Sequence, residues 1–498
     1  LHCTGSRWRF LSFCACSRLT CGYSSNSPPT PSGCSRHPPP FFSLPSRCFC
    51  LPVLFVFLLL SLFLFPCQSE SRVIVVDKGK GDDGKTGSET EPVRTISRAL
   101  MMSEAGDEVV VREGRYWRIE VGGRVRGKEG KRLVIRREGK GKVVVQGGIE
   151  IKGEAGYVSV EGIEVVGDGV RVDGKANEVR DCYIHDLPGK TGIEVRGEGH
   201  RVVGNRVERV SFGMVVWGKG HLIEGNEVCR LVWGSGVNDC DYVRFFGEGH
   251  IFRRNYLHGT KKEEVGPAHV DGWQTYAVNP GEYARDILIE GNILTDHFMH
   301  GVMMEGRKEW GGRAYSAENI TISNNVFTNC LSVGMVFGVR NVQWVNNTFV
   351  GVRRRGMGIT FRPAVDGTPV TAKVRNNIFY DSDWYEIRMM RPTEGCILEG
   401  EGNLLFRSTL PAGVRKMDPL LVAPTDPIGP DGIPFTADDG YILRQGSPCI
   451  DAGVTADDAG VTRDILGMSR PQGAGWDIGA YEVQGRAPAG EEIQAGRL

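Results

Sequence analysis

The sequence predicts an all-β protein, a parallel β-helix in which short strands stack coil upon coil. An asparagine-centred unit, apolar-x-(Gly/Asn)-Asn-x-apolar, recurs along the chain at intervals of 21 to 37 residues. Apolar and polar residues alternate around each asparagine, which is the two-residue period of a strand. Glycine is abundant, with 68 among 498 residues, as many tight turns require. Together these observations favour a solenoid built from strands.

The asparagine unit marks one turn of this solenoid. The repeat positions are Asp181, Asn205, Asn226, Asn255, Asn292, Asn325, Asn347, Asn377 and Asn403. The shortest interval accommodates three short strands with their turns, so the longer intervals contain inserted loops. Successive coils then lie about 4.8 Å apart, and the turn asparagines are expected to stack as an amide ladder. That role is structural, so these asparagines are not candidate catalytic residues.

Residues 1–69 differ in composition from the rest of the chain. They contain five Arg, no Lys, no acidic residue, eight of the 14 cysteines and an apolar run at residues 53–65. The run has the length of a signal-peptide core, with a buried helix as the alternative. We therefore expect an upstream extension and signal peptide, and a protein that is secreted or exported to the cell surface.

Charge and cysteine content narrow the functional classes. The 60 Lys and Arg residues balance the 60 Asp and Glu residues, so no nucleic-acid partner is indicated. No C-x-x-C pair occurs after residue 69, which argues against zinc-ribbon and redox motifs, and no metal ligands are assigned. Whether Cys229 pairs with Cys240 stays open.

The segment before the coils is predicted to cap them. It contains a strand at residues 73–76 and an amphipathic stretch with Ile96, Ala99 and Leu100 at helical spacing. Running into Gly-Asp-Glu-Val-Val-Val-Arg-Glu-Gly-Arg-Tyr at residues 106–116, this opening resembles the start of secreted β-helix proteins of the pectate-lyase-like superfamily. The resemblance implies a right-handed parallel β-helix, with its N-terminal cap, over residues 70–405.

The C-terminal segment, residues 406–498, resembles the choice-of-anchor Q domain of exported bacterial β-helix proteins. The matching stretches are residues 431–433, 436–440, 446–453, 470–471 and 476–482. The resemblance implies surface or extracellular residence, and we expect the segment to cap the last coils. Its Asp-rich turns leave calcium open as a cofactor, although their spacing favours Asx turns.

Long loops and proton-transferring side chains concentrate between residues 226 and 325. Loops inserted into a solenoid fall on one face, which is often the binding face. Aligning one strand by its glycine, through Gly213, Gly272, Gly301 and Gly334, places outward side chains in two files. One file contains Asp241, Asp271, His300 and Val333, and the other contains Arg244, Gln274, Met303 and Val336.

The candidate catalytic residues are Asp241, Arg244, His269, Asp271, Gln274 and His300. Two carboxylates on neighbouring coils repel, so one holds a proton near neutral pH and a histidine can share it. A polar network that merely holds loops is the alternative.

The candidate substrate-binding residues are Trp217, Phe246, Lys261, Tyr276, His297 and Glu305. The three aromatic residues form one outward file, which favours either stacking of sugar rings or packing of a loop. His250 aligns with His200 and His221 at a turn, so it is predicted to be structural.

The run from His269 to Gln274, followed one coil later by His300-Gly301, is similar to strands of polygalacturonase-like glycosidases. It departs from them in having His269 and Gln274 at two positions of the motif and in lacking the following Asp-Asp pair and the Arg-x-Lys motif. Residues 266–269 have a weaker similarity to the Asp-Pro-His motif of mannuronan epimerases.

The predicted function is a polysaccharide lyase that acts on a uronate-containing polysaccharide by β-elimination. Arg244 or a lysine would neutralise the uronate carboxylate, His269 or His300 would take the C5 proton, and Asp241 or Asp271 would orient that imidazole. One alternative is an inverting glycoside hydrolase using Asp241 and Asp271, although about 4.8 Å is short of the roughly 6.5 to 9.5 Å expected. Another is a non-catalytic glycan-binding or adhesin-like protein. We expect a monomer.

Overall fold

A computed structural model describes residues 71–296, 299–308, 315–351, 358–381, 387–406 and 415–483. The predicted signal segment lies outside these residues. Within the described ranges, no helix is both long enough and apolar enough to span a membrane.

The described chain is built almost entirely from short strands. The first twelve are β1 (Val73–Val76), β2 (Glu108–Val111), β3 (Gly114–Val121), β4 (Leu133–Arg137), β5 (Val143–Ile151), β6 (Val158–Glu161), β7 (Glu164–Val166), β8 (Val170–Val172), β9 (Glu178–Arg180), β10 (Tyr183–Val195), β11 (Arg201–Val203) and β12 (Arg206–Val216). The next twelve are β13 (Leu222–Glu224), β14 (Glu227–Cys229), β15 (Val243–Phe245), β16 (Gly247–Glu248), β17 (Ile251–Arg253), β18 (Tyr256–His258), β19 (Asp271–Tyr276), β20 (Ala284–Glu290), β21 (Ile293–Leu294), β22 (His300–Glu305), β23 (Ala317–Ser323) and β24 (Val326–Thr328). The last ten are β25 (Ser332–Phe337), β26 (Arg340–Val345), β27 (Thr348–Val350), β28 (Ile359–Arg362), β29 (Thr371–Arg375), β30 (Ile378–Tyr380), β31 (Ile387–Met389), β32 (Ile397–Glu401), β33 (Leu404–Phe406) and β34 (Arg415–Lys416).

These strands form a parallel β-helix, as predicted. The first sheet runs β1-β2-β4-β6-β9-β11-β13-β17-β20-β23-β26-β29-β32, with β16 added beside β20. The second runs through β7, β14, β18, β21, β24, β27, β30 and β33, and the third through β8, β15, β19, β22, β25, β28 and β31. The long strands β5, β10 and β12 bend from the second sheet into the third.

The interior is apolar because every second strand residue points inward. Valine and isoleucine fill the early coils, and aromatic rings fill the later ones. Phe349 stacks between Phe327 and Phe379, with ring centroids 5.3 and 4.6 Å apart. Burial of this continuous core supplies the main stabilisation of a solenoid.

The predicted asparagine ladder is confirmed. From Asn226 onwards, each ladder asparagine accepts, at its side-chain oxygen, both the backbone N–H and the side-chain N–H of the asparagine one coil earlier, at 2.9 to 3.0 Å. The ladder runs from Asn205 to Asn403. Placing Asp181 in it was wrong, because Cys182 donates to Asn205 and occupies that position.

Asp181 instead occupies the left-handed turn position that precedes each ladder residue, with φ of 52°. Gly204, Gly225 and Gly291 take this position with φ of 59 to 66°. Asparagine takes it in later coils, because asparagine tolerates this backbone region better than most residues. The recurrent (Gly/Asn)-Asn pair is therefore a turn residue followed by a ladder residue.

A short helix, α1 (Ile96–Met102), precedes the coils. The Thr95 hydroxyl caps it by accepting the Arg98 backbone N–H at 3.1 Å. Ile96, Ala99 and Leu100 are buried in the core, as their spacing predicts. Its role as an end cap stays a prediction. A second helix of one turn, α2 (Lys262–Val265), lies in the loop before β19.

The C-terminal segment lies along the second sheet, beside the coils from Ile293 to Leu404. Its role as a cap on the last coils stays a prediction. Its buried Leu421, Tyr441 and Tyr481 pack on a row of outward apolar side chains that runs from Ile293 to Leu404. Polar contacts tie it to still earlier coils, since Arg254 donates to the backbone oxygen of Ile465 at 3.2 Å. Packing against this row buries apolar surface that the coils would otherwise expose.

Candidate functional site

The third sheet brings the predicted polar residues together. Strand register pairs Asp271 with His300 directly, and the pairing of Val243 with Trp273 sets Asp241 beside Asp271. The three side chains therefore follow one another on successive coils, as predicted. Asp241 and Asp271 are fully buried, and His300 is 5% exposed.

The predicted register fails one coil further on. Val302, rather than Gly301, pairs with Gly334, so the two outward files continue to Ser332 and Met335 instead of Val333 and Val336. A side-chain carbon at Gly334 would lie 2.9 Å from the Trp344 ring. This glycine is thus required by packing inside the core and does not mark the same strand position as the earlier glycines.

His269 and Asp271 form an Asp–His pair at the surface of the site. His269 Nδ1 lies 3.1 Å from Asp271 Oδ2, and the imidazole side chain is 35% exposed. The hydrogen bond to the Asp271 carboxylate raises the pKa of His269, against the opposing effect of partial burial. The carboxylate thereby fixes the orientation and tautomer of a ring that solvent can reach.

Asp271 is held by its neighbours. Its backbone N–H donates to Asp241 Oδ1 at 3.2 Å, and Gln274 Nε2 donates to Asp271 Oδ2 at 2.8 Å. The His300 backbone N–H donates to Asp271 Oδ1 at 3.4 Å. The Gln274 side-chain oxygen is buried and has no hydrogen-bond partner among the described residues.

Asp241 forms the buried side of an arginine network. Arg244 Nε donates to Asp241 Oδ2 at 3.1 Å, and Arg244 Nη2 donates to Asp239 Oδ2 at 2.9 Å. Burial, together with the charge of Asp271, raises the pKa of Asp241 well above its ordinary range despite Arg244. The Arg244 guanidinium also lies 4.8 Å from the Phe212 ring centroid and donates to the Tyr276 hydroxyl at 3.2 Å.

Ser332 is a site residue that sequence reasoning missed. Its fully buried hydroxyl hydrogen-bonds with His300 Nδ1, and the His300 ring lies 5.2 Å from the His269 ring. The register shift at Gly334 concealed it. The signal that would have found it is the polar Ser332 inside an otherwise apolar strand.

The aromatic file is present, but only part of it is open. Trp217 stacks on Phe246 with ring centroids 4.0 Å apart, and Tyr276 contacts Phe246 edge-on at 5.6 Å. Phe246 is buried, so any stacking surface for a ligand belongs to the partly exposed Trp217 and Tyr276. Glu305, at the end of β22, forms an ion pair with Arg307 at 2.8 Å.

Two predicted binding residues are not brought into the cluster. Lys261 is exposed at the start of α2, a helix whose Glu264 pairs with Arg209 and Arg230. His297 lies outside the described residues.

His250 is structural, as predicted. His200, His221 and His250 stack with ring centroids 4.8 to 4.9 Å apart and are buried in the turn between the third and first sheets. The Nδ1 atom of each accepts a backbone N–H from the coil before it, at 3.0 to 3.2 Å.

Two groups of side chains have the chemistry of metal ligands. Donor atoms of His269, Asp271 and His300 lie within 4.8 Å of one another. A second group, Glu227, Cys229 and His258, lies on the second sheet. The Asp-rich C-terminal turns fit the Asx alternative: Asp431 Oδ1 accepts the Ile433 backbone N–H at 2.7 Å, and Asp438 accepts the Thr436 hydroxyl at 2.6 Å.

A cleft of roughly 490 Å³ continues the site towards the N-terminus of the chain. It is lined by charged side chains of both signs, Arg118, Glu150, Asp168, Arg171, Lys190 and Glu194. Thr191 in its wall pairs with Phe212, and Glu194 pairs with Val215, so the cleft continues the two outward files. Because the cleft lies on the same face of the third sheet as Asp241, a bound polymer that extends past Asp241 could occupy it.

Comparison with known proteins gives a family match and several similar folds. Residues 79–243 match a family described as a protein of unknown function, DUF1565. No curated protein sequence matches the chain.

Three solved structures illustrate the similar folds. A pectate lyase is 14% identical, with a TM-score of 0.46 over 83% of this chain and 97% of that one. XylC in complex with xylose is 11% identical, with a TM-score of 0.45 over 82% and 98%. The A-module of a mannuronan C-5 epimerase from Azotobacter vinelandii is 15% identical, with a TM-score of 0.41 over 64% and 89%. These likenesses assign no activity to this chain.

Proposed function

We propose that the protein is an exported polysaccharide lyase that cleaves a uronate-containing polymer by β-elimination, with His269 as the general base. The single observation that carries this proposal is the Asp271–His269 pair, in which a fully buried carboxylate orients a partly exposed imidazole. A ring held in this way is suited to remove a proton from a bound substrate.

The second histidine, His300, supplies the proton that the leaving group needs. The Nε2 atom of His269 takes the C5 proton, the bond between C4 and the glycosidic oxygen breaks, and a C4–C5 double bond forms. His300, held by Ser332, returns a proton to the departing oxygen. The 5.2 Å between the two rings is of the order needed to flank adjacent carbons of one sugar.

Arg244 is the candidate for recognising the uronate carboxylate. Its charge is shared by Asp241, which is buried, and Asp239, whose side chain is 34% exposed. A substrate carboxylate would displace the exposed Asp239 and keep the buried contact. Neutralising the uronate in this way makes the C5 proton easier to remove.

The inverting-hydrolase alternative is less well supported. The Asp271 backbone N–H contacts the Asp241 carboxylate at 3.2 Å, so the two residues are immediate neighbours. An inverting pair must leave room for a water molecule between carboxyl groups roughly 6.5 to 9.5 Å apart. Neither buried carboxyl has such room.

The test is a panel of neutral and acidic polysaccharides incubated with the purified protein. We expect ultraviolet absorbance from unsaturated uronate ends, and its loss in His269→Gln. His185→Gln is the matched control, because His185 is an outward histidine on the second sheet that pairs with Glu164. New reducing ends without absorbance would indicate a hydrolase instead, and retention without products would indicate a binding protein.

A further inference from the structure

We propose that Glu227, Cys229 and His258 form a binding site for a zinc-like divalent metal ion on the second sheet, separate from the candidate catalytic file. The side-chain donor atoms of the three residues lie within 4.8 Å of one another. The site does not depend on the lyase proposal.

Strand geometry brings these side chains together. Val228 and Leu257 point into the core, so Glu227 and Cys229 on β14 and His258 on β18 point outward. Register pairs Cys229 with His258 directly. His258 Nε2 lies 2.9 Å from Glu227 Oε1. Three donors from two hydrogen-bonded strands form a compact set that needs no loop to complete it.

The donor set matches the chemistry of zinc. A thiolate, an imidazole and a carboxylate are its usual protein ligands, at about 2.0 to 2.3 Å from the metal. Those bond lengths place tetrahedral ligand atoms about 3.3 to 3.5 Å apart. Small rotations of the side chains would therefore close the present group around an ion.

The thiol itself is unusual in this position. Outward residues of the same file, such as His185 and Glu208, are polar, but Cys229 is 1% exposed and is a free thiol. A bound divalent cation would replace the thiol proton, which leaves to solvent, and would stabilise the thiolate in place.

Neighbouring groups fix the ligands as metal sites require. The Tyr256 ring stacks on His258 with centroids 4.0 Å apart, which limits rotation of the imidazole. Arg206 forms an ion pair with Glu227 and another with Glu208 at 3.0 Å. Second contacts of this kind orient ligands and balance their charge.

An adjacent cleft gives access to one side of the group. It has a volume of about 380 Å³ and is lined by Glu227 and Tyr256 on the coils and by Ile433 and Phe435 of the C-terminal segment. With three protein ligands, the fourth position of a tetrahedral ion would be left for water or a small ligand.

The experiment titrates metal-free protein with Co²⁺ and follows the absorbance of the thiolate-to-cobalt charge-transfer band. We expect one Co²⁺ per chain to produce this band and Zn²⁺ to abolish it by displacement. Cys229→Ser should remove the band. Cys240→Ser is the matched control, because Cys240 is equally buried and its thiol donates to the Val232 backbone oxygen.

His258→Gln gives a second test that does not depend on the folding of a buried-cysteine variant, since the His258 side chain is 23% exposed. The band should be lost or shifted in this variant as well. His269→Gln removes a donor from the other group of possible metal ligands, His269, Asp271 and His300, and should leave the band unchanged. Absence of the band in the wild-type protein, or an equal band in Cys229→Ser, would overturn the proposal. Cobalt binding that lacks the band would place the ion elsewhere and would also overturn it.

Discussion

Asp271 lies one coil beyond Asp241, and its backbone N–H donates to the Asp241 carboxylate at 3.2 Å. Two fully buried acids thus share one file of the third sheet, and each has a different basic partner. Arg244 pairs with Asp241, and His269 pairs with Asp271. In the proposed mechanism, the Asp241–Arg244 pair therefore binds the substrate carboxylate, and the Asp271–His269 pair transfers the proton.

Replacing Asp271 by Asn should lower kcat by about 10²-fold or more, because the imidazole loses the group that orients it. His269 acts as a base when it is unprotonated, so activity rises with pH through its pKa. The Asp271 carboxylate raises that pKa, and its removal should move the rising limb of the pH–rate profile to lower pH. A pH profile that keeps its position would show that Asp271 does not act through His269.

Ser332→Ala should reduce kcat by about five- to tenfold, the equivalent of one hydrogen bond, and leave KM nearly unchanged. The hydroxyl contacts His300 rather than the open surface, so its loss affects proton return more than binding. Ser332→Thr retains the hydroxyl and serves as the rescue variant. A change confined to KM would argue against this positioning role.

The stacked histidines should make the protein sensitive to acid. Burial lowers the pKa of His200, His221 and His250 to about 4, and in each ring Nδ1 is already occupied as an acceptor. Between pH 6.5 and 4 the unfolded chain binds protons that the native chain does not, so stability falls as pH falls, by about 1.4 kcal/mol per pH unit for each histidine.

Urea unfolding at several pH values measures this slope. His221→Asn supplies a neutral acceptor for the same backbone N–H and should reduce the slope by about a third, since one of three titrating groups is removed. An unchanged slope would mean that other groups cause the acid sensitivity.

Asn292→Ala should destabilise the protein by at least about 2 kcal/mol, because it leaves several buried polar groups unpaired. Asn292 accepts two N–H groups from Asn255 and donates to Asn325 and to the Phe252 backbone oxygen. Asn279→Ala is the control, since the Asn279 side chain is exposed and donates to the Glu282 carboxylate at 2.9 to 3.0 Å. Chemical denaturation of both variants should separate them clearly.

Arg470→Met should loosen the C-terminal segment. The Arg470 and Glu482 side chains are both fully buried and paired, and Arg470 also donates to Asn324 Oδ1 at 3.1 Å. Removing one member of a buried pair costs about 3 to 5 kcal/mol because the other charge stays buried. Limited proteolysis should then cut within residues 415–483 before the coils. Arg463→Met, which loses only an exposed contact to the Gly467 backbone oxygen, should resist cleavage like the wild type.

Much of the fold can be predicted from the sequence because each coil of the repeat is specified by short local patterns of residues. Alternating apolar residues specify the strands, and the ladder asparagines specify the turns. The grouping of Asp241, Asp271 and His300 follows from counting along one strand of each coil. Counting along the strand did not identify Ser332, because it assumed that Gly334 aligns with Gly301. Gly334 is a glycine for a different reason, since the Trp344 ring leaves no space for a side chain there.

The path of the C-terminal segment was missed for a related reason, because it depends on contacts between residues that are far apart in the chain. At the left-handed turn position, early coils have Gly204, Gly225 and Gly291, whereas later coils have asparagines. The asparagine amides donate to segment backbone oxygens: Asn324 to Arg463, Asn346 to Asp477 and Asn376 to Val454. These contacts give the three asparagines a second role beside the turn, although Gly291 and Gly402 also lie against the segment.

This lengthwise attachment has a consequence for how the molecule comes apart. In a simple solenoid each coil contacts only its neighbours, so the stack can fray from either end. Here one segment joins the coil of Arg254 to that of Asn376, and those coils cannot separate one at a time while it stays bound. The coils that the segment joins should unfold together in one cooperative transition. The coils on the N-terminal side of Arg254 can still unfold one after another.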